Sequence, residues 1–302
     1  MHEDSGTHRA PGTPTPETTA RWAVVGAAGM LGHDMVARLE RGGRDVTGLA
    51  RDALDVTDAA ACVEVLAGFD VVVNCTAWTA VDDAETHEAE AFAVNAVGAA
   101  NLARAAAAHG ARLVQVSTDY VFAGSATQPY EADAEIAPVS AYGRTKAAGE
   151  WAVLAASPEH LVVRTAWLYG AAGGSFPRTI ARVAAERGAV SVVDDQHGQP
   201  TWTGDVADLV LRLVDAEVAG GIFHATSSGE ATWFDFAREA VATAGLDPEV
   251  VTPTTSADFV RPAPRPAYSV LGHASLVAAG VEPIGDWRGR WAVAGQDVVA
   301  TS

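Results

Sequence analysis

Cysteine is nearly missing from this chain of 302 residues. Only Cys62 and Cys75 occur, and their spacing fits neither a metal knuckle nor a redox pair, which excludes a disulfide scaffold and leaves two reduced thiols. Nine histidines are scattered without zinc-ligand spacing, so no metal site is read from them. Basic side chains are also scarce, 20 against 38 acidic ones. The resulting net charge of -18 excludes a phosphate-tracking groove for nucleic acid and attachment to an anionic membrane surface. No apolar run approaches the roughly 18 residues of a spanning helix. The first twenty residues carry His, Glu, Asp and Pro where a signal peptide needs an apolar segment, so the expected compartment is the cytoplasm.

What is present is ample apolar material, 49% of residues, enough for a full core. Residues 1–20 hold Pro, Thr and Gly with almost no large apolar side chains and read as a flexible tail. From Arg21 the text alternates. Short apolar runs ("RWAVVG", "RDVTGLA", "FDVVVNCTA", "ARLVQVS", "HLVVRTAWLYG") are separated by segments of helical period, including "MLGHDMVARLERGG", an Ala-rich helix from Glu88 to Gly110, and "SAYGRTKAAGEWAVLAA". Such alternation predicts an α/β fold: a doubly wound parallel sheet of Rossmann type with a smaller C-terminal α/β substrate lobe. The expected division is 21–170 for the dinucleotide domain, with 201–226 returning to it. Residues 171–200 and 227–292 make the substrate lobe, and 293–302 a second tail.

"VVGAAGMLG" sets Gly26, Gly29 and Gly32 at a strand-to-helix turn, with Met30 and Leu31 between the last two. Glycines there let backbone approach a pyrophosphate, and the free N–H groups of the helix start stabilise the charge. These five residues are the expected phosphate-binding turn of a nicotinamide dinucleotide. After the second strand, "GLARDALDVTD" offers Arg51 where a cofactor lacking the 2'-phosphate would meet an acid, which favours NADPH and leaves NADH open, since Asp52 is adjacent. Asp55 and Val56 follow at the expected adenine position. Ala77, Trp78 and Thr79 come just past the "VVVNC" strand, near the nicotinamide half.

Tyr142 and Lys146 are four apart on one helix face. A lysine ammonium beside a phenol favours the phenolate and lowers its pKa from about 10, and the same lysine suits the cofactor's ribose. Thr118 ends the preceding strand at the carboxyl edge, where open parallel sheets bind ligands. Together the three fit hydride transfer to a carbonyl, with Tyr142 giving the proton, Thr118 orienting the group, and the cofactor supplying the hydride.

With "GAAGMLG", "VVVNCTAWTAVDDAE", "VNAVGAANLA", "STDYVFAG", "YGRTK", "VRTAWLYG", "DDQHGQPT" and "RPAYSVL" in place, the sequence from Trp22 to near Ala292 resembles the dTDP-4-dehydrorhamnose reductase family of extended short-chain dehydrogenases/reductases. The resemblance implies reduction of the 4-keto group of dTDP-6-deoxy-L-lyxo-4-hexulose to dTDP-L-rhamnose. It makes Tyr142 the proton donor and Lys146 its partner, sets Thr118 and Asp119 against the sugar, packs Trp167 on the substrate, and offers Arg265 to the nucleotide diphosphate. Some members dimerise through Mg2+ held by acids. Asp34 falls where one such acid would lie, and the sequence places no further ligand, so the metal and a homodimer stay open. Trp78 stands where members often carry His or Tyr. The same scaffold resembles reductases making other dTDP-deoxysugars such as dihydrostreptose, and also the non-catalytic β subunit of methionine adenosyltransferase, so those readings stay open too.

Overall fold

The computed structural model describes residues 20–300, so the tail expected over 1–20 lies, apart from Ala20, outside the described residues. The first half runs β1 (Arg21–Val25), α1 (Met30–Arg41), β2 (Asp45–Leu49), α2 (Ala59–Val65), β3 (Val71–Asn74), α3 (Glu88–Phe92), α4 (Ala99–Ala108), β4 (Arg112–Thr118), α5 (Ala141–Ala156) and β5 (Leu161–Thr165). The second runs β6 (Leu168–Tyr169), α6 (Phe176–Arg187), β7 (Val190–Val193), β8 (His197–Gly198), β9 (Thr201–Trp202), α7 (Thr203–Asp215) and β10 (Gly221–His224). It closes with β11 (Ala231–Thr232), α8 (Trp233–Thr243), β12 (Val251–Thr254), α9 (Ala274–Ala278) and α10 (Trp287–Ala300).

Six strands pair in parallel in the order β10-β5-β4-β3-β1-β2. The expected doubly wound sheet is therefore present, with its order reversing between β1 and β3. Side chains alternate across it as strand geometry demands. Trp22, Val24, Val71 and Val73 point into one core with Met35 of α1 and Leu209 of α7. Ala23, Val25 and Val72 point into the other with Cys62 of α2, Leu102 of α4 and Val153 of α5. Both faces are covered, which is why these strands read as unbroken apolar runs.

Beyond β5 a second layer forms. Strands β7 and β12 pair in parallel, and Val192 and Val251 pack with Ala184 of α6 and Val241 of α8. An aromatic cluster of Tyr169, Phe236, Trp287 and Trp291 packs beside them.

Three expectations need correction. The Ala-rich stretch from Glu88 is not one regular helix: α3 and α4 join through a π-helical segment, Ala93–Gly98. Gly149 of α5 accommodates the widened turn, since a Cβ there would lie 2.3 Å from the Asn95 carbonyl oxygen. The run "HLVVRTAWLYG" is not one strand either, because Trp167 adopts φ 45° and breaks it into β5 and β6. Finally, residues 293–300 are no tail. They complete α10, whose buried positions Trp287, Trp291, Ala294, Gly295 and Val298 recur at helical spacing and close the aromatic cluster.

Trp291 is the test of that last point. It is 3% exposed, meets Phe236 edge-on at 5.1 Å, and donates its indole N–H to Thr243 Oγ1 at 2.9 Å. Trp291→Ala is expected to lower the unfolding free energy by about 3–5 kcal/mol in urea titrations, as deletion of a buried aromatic does. A change below roughly 1 kcal/mol would return this segment to the status of a tail.

Candidate active site

Every strand of the sheet ends toward the same edge, and the first turn is built there by glycines. Gly26 leaves β1 at φ +84°, where a Cβ would sit 3.0 Å from Cys75 C and Thr76 N. Gly32 is tighter still: a Cβ would lie 2.1 Å from the Gly26 carbonyl oxygen. That contact lets α1 rest directly on the turn. Gly29 caps α1 with no side-chain hydrogen bond and no acid follows in the first turn, so its leading N–H groups remain open to an anion.

In front of this turn lies a cavity of about 350 Å³ at the switch between β1 and β3. Its wall includes Gly26, Gly29, Arg51, Asp55, Val56, Ala77 and Trp78. The remaining residues expected for the cofactor fall elsewhere. Met30 lies against Gly170, Leu31 is buried in the core, Gly32 packs helix to turn, and Thr79 is exposed beyond the wall. Asp55 Oδ1 accepts from the Thr57 N–H and hydroxyl at 2.9 and 2.7 Å, which holds its carboxyl below the usual range.

The loop carrying Ala77 and Trp78 is held from the π-helical segment. Asn95 Oδ1 accepts from Trp78 N at 2.8 Å, while Asn95 Nδ2 donates to Trp78 O at 3.3 Å and to Thr145 Oγ1 at 3.0 Å. One buried carboxamide thus ties the cavity loop to α5. Nothing in "VNAVG" marks Asn95 for this task, and only its place in the widened turn reveals the role.

Helix α5 starts with Ser140 Oγ accepting from Gly143 N at 3.1 Å and Glu85 Oε1 accepting from Ala141 N at 2.8 Å. A Cβ at Gly143 would lie 2.2 Å from Tyr120 O, so the helix start sits against the turn after β4. This brings the Tyr142 ring edge-on to Tyr120 at 5.6 Å, beside Thr118 and Asp119. Lys146, one turn along, is buried and donates to Val116 O of β4 at 2.6 Å.

The electrostatics of the unliganded site differ from expectation. Burial pushes the Tyr142 phenol well above its usual range, the Asp119 charge adds to this, and the Thr118 hydroxyl offsets part of it. Lys146 does not produce the expected lowering, because its ammonium turns to the Val116 carbonyl and is itself brought down to about 8 by burial, with Glu150 and Cys75 acting against that shift. Asp119 is pushed up to about 6, again chiefly by burial.

Two other expected residues are engaged within the chain. Arg265 donates to Asp82 Oδ1 at 2.9 Å and to Ala263 O at 3.2 Å, and Arg261 holds the other Asp82 oxygen. Trp167 stacks on Trp233 with ring centroids 3.6 Å apart and planes 10° from parallel. Asp34, the acid considered for Mg2+, accepts from the Thr203 hydroxyl and lies 3.5 Å from His33 Nδ1. Among the described residues no group of three or more His, Cys, Asp or Glu is placed to hold a metal ion. No helix among them is long and apolar enough to cross a membrane.

Comparison with known proteins points to one family. The profile of the RmlD substrate binding domain matches residues 21–298. A Streptomyces antibioticus protein named as a probable dTDP-4,6-dihydroxy-2-methyloxan-3-one 4-ketoreductase is 51% identical over 93% of this chain and 96% of its own. A dTDP-4-dehydrorhamnose reductase of Streptomyces griseus is 50% identical over 91% of this chain and 92% of its own. Among solved structures, dTDP-4-dehydrorhamnose reductase of Bacillus anthracis in complex with NADP superposes with a TM-score of 0.87 at 33% identity, over 90% of this chain and 97% of that one.

The two close glycines separate packing from ligand contact. Gly32→Ala forces backbone against backbone and is expected both to lower the melting temperature and to weaken dinucleotide binding, read by calorimetry. Gly29→Ala, whose Cβ would meet only Gly26 O at 3.3 Å, should keep the melting temperature within about 2 °C while still weakening binding. Equal losses of stability in both variants would refute the distinction.

Proposed function

The chain belongs to the RmlD substrate binding domain family of dTDP-4-dehydrorhamnose reductases, and from that premise we propose that it reduces the 4-keto group of dTDP-6-deoxy-L-lyxo-4-hexulose to dTDP-L-rhamnose. The protein is an NAD(P)H-dependent oxidoreductase. The observation that carries the substrate reading is the meeting of Tyr142, Thr118 and Asp119 at the carboxyl edge of the sheet, where Tyr142 packs against the same small cluster as Trp78 of the cavity wall. A regulatory subunit has no chemical need of that grouping.

When bound, the nicotinamide supplies hydride to the carbonyl carbon. The chain's own part is to hold the keto-sugar and deliver a proton. Tyr142, kept protonated by burial, donates its hydroxyl hydrogen to the carbonyl oxygen. Lys146, tethered to β4 within the same helix face, is set to meet the cofactor's ribose and to offset the phenolate as it forms. Thr118 and Asp119 face the sugar, and Trp167 forms an aromatic wall with Trp233. Arg265 would reach a diphosphate by leaving Asp82.

Arg51, exposed at the cavity wall, favours NADPH, since a guanidinium suits a 2'-phosphate in bidentate fashion. The cofactor lobe would comprise 21–170 with 201–226 returning to it. The substrate lobe would comprise 171–200 and 227–292, extended by α10. A second reading has a specific observation behind it: the name of the Streptomyces antibioticus relative supports reduction of a different dTDP-keto-sugar.

NADPH oxidation with the 4-keto-hexulose, followed by identification of the sugar product, tests the reading. A product other than dTDP-L-rhamnose would favour the second. Tyr142→Phe is expected to lower kcat by on the order of 10²–10⁴-fold with cofactor affinity retained, as loss of a general acid does. Arg51→Ala should raise the KM for NADPH about 10- to 100-fold and leave that for NADH nearly unchanged, the size of a lost charge-assisted hydrogen bond.

A further inference from the structure

The Thr118 hydroxyl has three hydrogen-bonding positions, and the fold already uses two. Its hydrogen goes to Asp119 Oδ1 at 2.8 Å, and one lone pair takes the Tyr120 N–H at 3.2 Å. A single lone pair remains, and the Tyr142 hydroxyl lies beside it. In this arrangement Thr118 accepts from a ligand hydroxyl but cannot donate to a carbonyl oxygen, which is the atom that gains negative charge during reduction. The group that decides is Asp119. It is 2% exposed, and its Oδ2 is buried without a hydrogen-bond partner. A protonated carboxyl carries its own O–H, which can donate to Thr118 Oγ1 and release the Thr118 hydrogen to point elsewhere.

We propose that Asp119 is a positioning residue whose protonation sets the direction of the Thr118 hydroxyl. As a carboxylate it takes the Thr118 hydrogen. As the acid it returns one, and only then does Thr118 donate to the substrate oxygen beside Tyr142. The proposal rests on the reading of this site as a ketoreductase.

The surroundings put the switch within an accessible range. Burial raises Asp119 to about 6, against the Thr118 and Ser269 hydroxyls and the Asp119 and Tyr120 backbone N–H groups, which favour the carboxylate. Ser269 lies near enough to ease the charge without completing a hydrogen bond to Oδ2. Tyr142 faces Asp119 from α5 and Tyr120 faces it from the same turn, and its charge raises both phenols. Arg265 and Asp82 face Tyr120 from the far side and act on it in opposite senses. Below about pH 6 the acid form prevails and Thr118 donates; above it the carboxylate prevails and Thr118 only accepts.

The pH dependence of kcat/KM, which reports the ionisations of the free enzyme, is the test. Between pH 5 and 8.5 the unmodified enzyme should lose activity about tenfold per pH unit above a midpoint near 6, levelling roughly 10²-fold lower, the size of one lost oxyanion donor. Asp119→Asn supplies an amide N–H that donates permanently to Thr118 Oγ1, so its profile should be flat across this range. Thr118→Val should be flat at the lower rate, and Thr118→Ser should keep the limb. A limb that survives in Thr118→Val, or no ionisation between pH 5 and 7 in the unmodified enzyme, would overturn the proposal. Carboxyl ¹³C NMR of the unliganded protein, which needs no turnover, separates this from the reaction assignment. An Asp119 resonance titrating near 6 and displaced in Thr118→Val supports the switch even if no keto-sugar is reduced, in which case the reductase reading alone fails. Normal turnover without that titration defeats the switch alone.

Discussion

The seating of α5 on the sheet is the constraint on which the rest of the site depends, and a buried ion pair anchors its second half. Glu150 accepts two hydrogen bonds from Arg164 of β5, at 2.9 and 2.8 Å, with both side chains at 1% exposure or less. Arg164 also donates to Ala132 O at 3.1 Å, and its guanidinium lies 4.8 Å from the Phe122 ring centre. Removing charge from water is costly, and a bidentate geometry with its remaining donors satisfied is what makes such a pair tolerable; breaking one costs about 3–5 kcal/mol. Glu150 stands four residues beyond Lys146 and eight beyond Tyr142, so the pair fixes the rotation of the helix that carries both. Tyr142 is thus held from two ends, by the approach of Gly143 to Tyr120 and by a salt bridge two turns away.

The free site is held in a state suited to giving a proton. A phenol pushed up by burial stays protonated at neutral pH, which a proton donor requires before the reaction and which leaves its phenolate costly after it. On the proposed mechanism something must offset that cost as the phenolate forms. Lys146, brought to about 8 by burial, is still largely charged near neutrality, and Glu150 helps to keep it so. Its present partner is a backbone carbonyl of β4, a neutral group that can share or yield the ammonium more readily than a carboxylate would.

The parts of this architecture that follow from local pattern were legible in the sequence. Strands buried on both faces announce themselves as apolar runs, and a glycine turn between strand and helix has few other uses. Tertiary demands were not legible. Nothing in "AFAVNAVGAAN" distinguishes a π turn from an α turn, because the cause is Gly149 of another helix admitting the Asn95 carbonyl. Arg265 looked free because a sequence does not show that Asp82, 183 residues earlier, reaches it. The final helix was missed for a different reason. Its buried positions recur at helical spacing, so the signal existed, but the exposed Ala292 and Val293 and the buried Gly295 blurred its apolar face.

Trp167 shows how the sheet and the second lobe are reconciled at the site. The left-handed φ of 45° follows the end of β5 and starts the chain into β6. Such a conformation costs of order 1–3 kcal/mol in a residue with a Cβ and persists only where neighbours over-determine it. Here they do. The indole stacks on Trp233 of α8, its carbonyl accepts from Thr201 N at 3.2 Å, and Gly198 leaves room at the ring edge that any Cβ would fill at 2.4 Å. Two of these contacts, Gly198 and Trp233, come from pieces of chain that meet each other only as β8 and β11 pair at the start of α8. The strain at the end of β5 is thus supported by the second layer, and the stacked indoles meet only where both parts of the fold are in place.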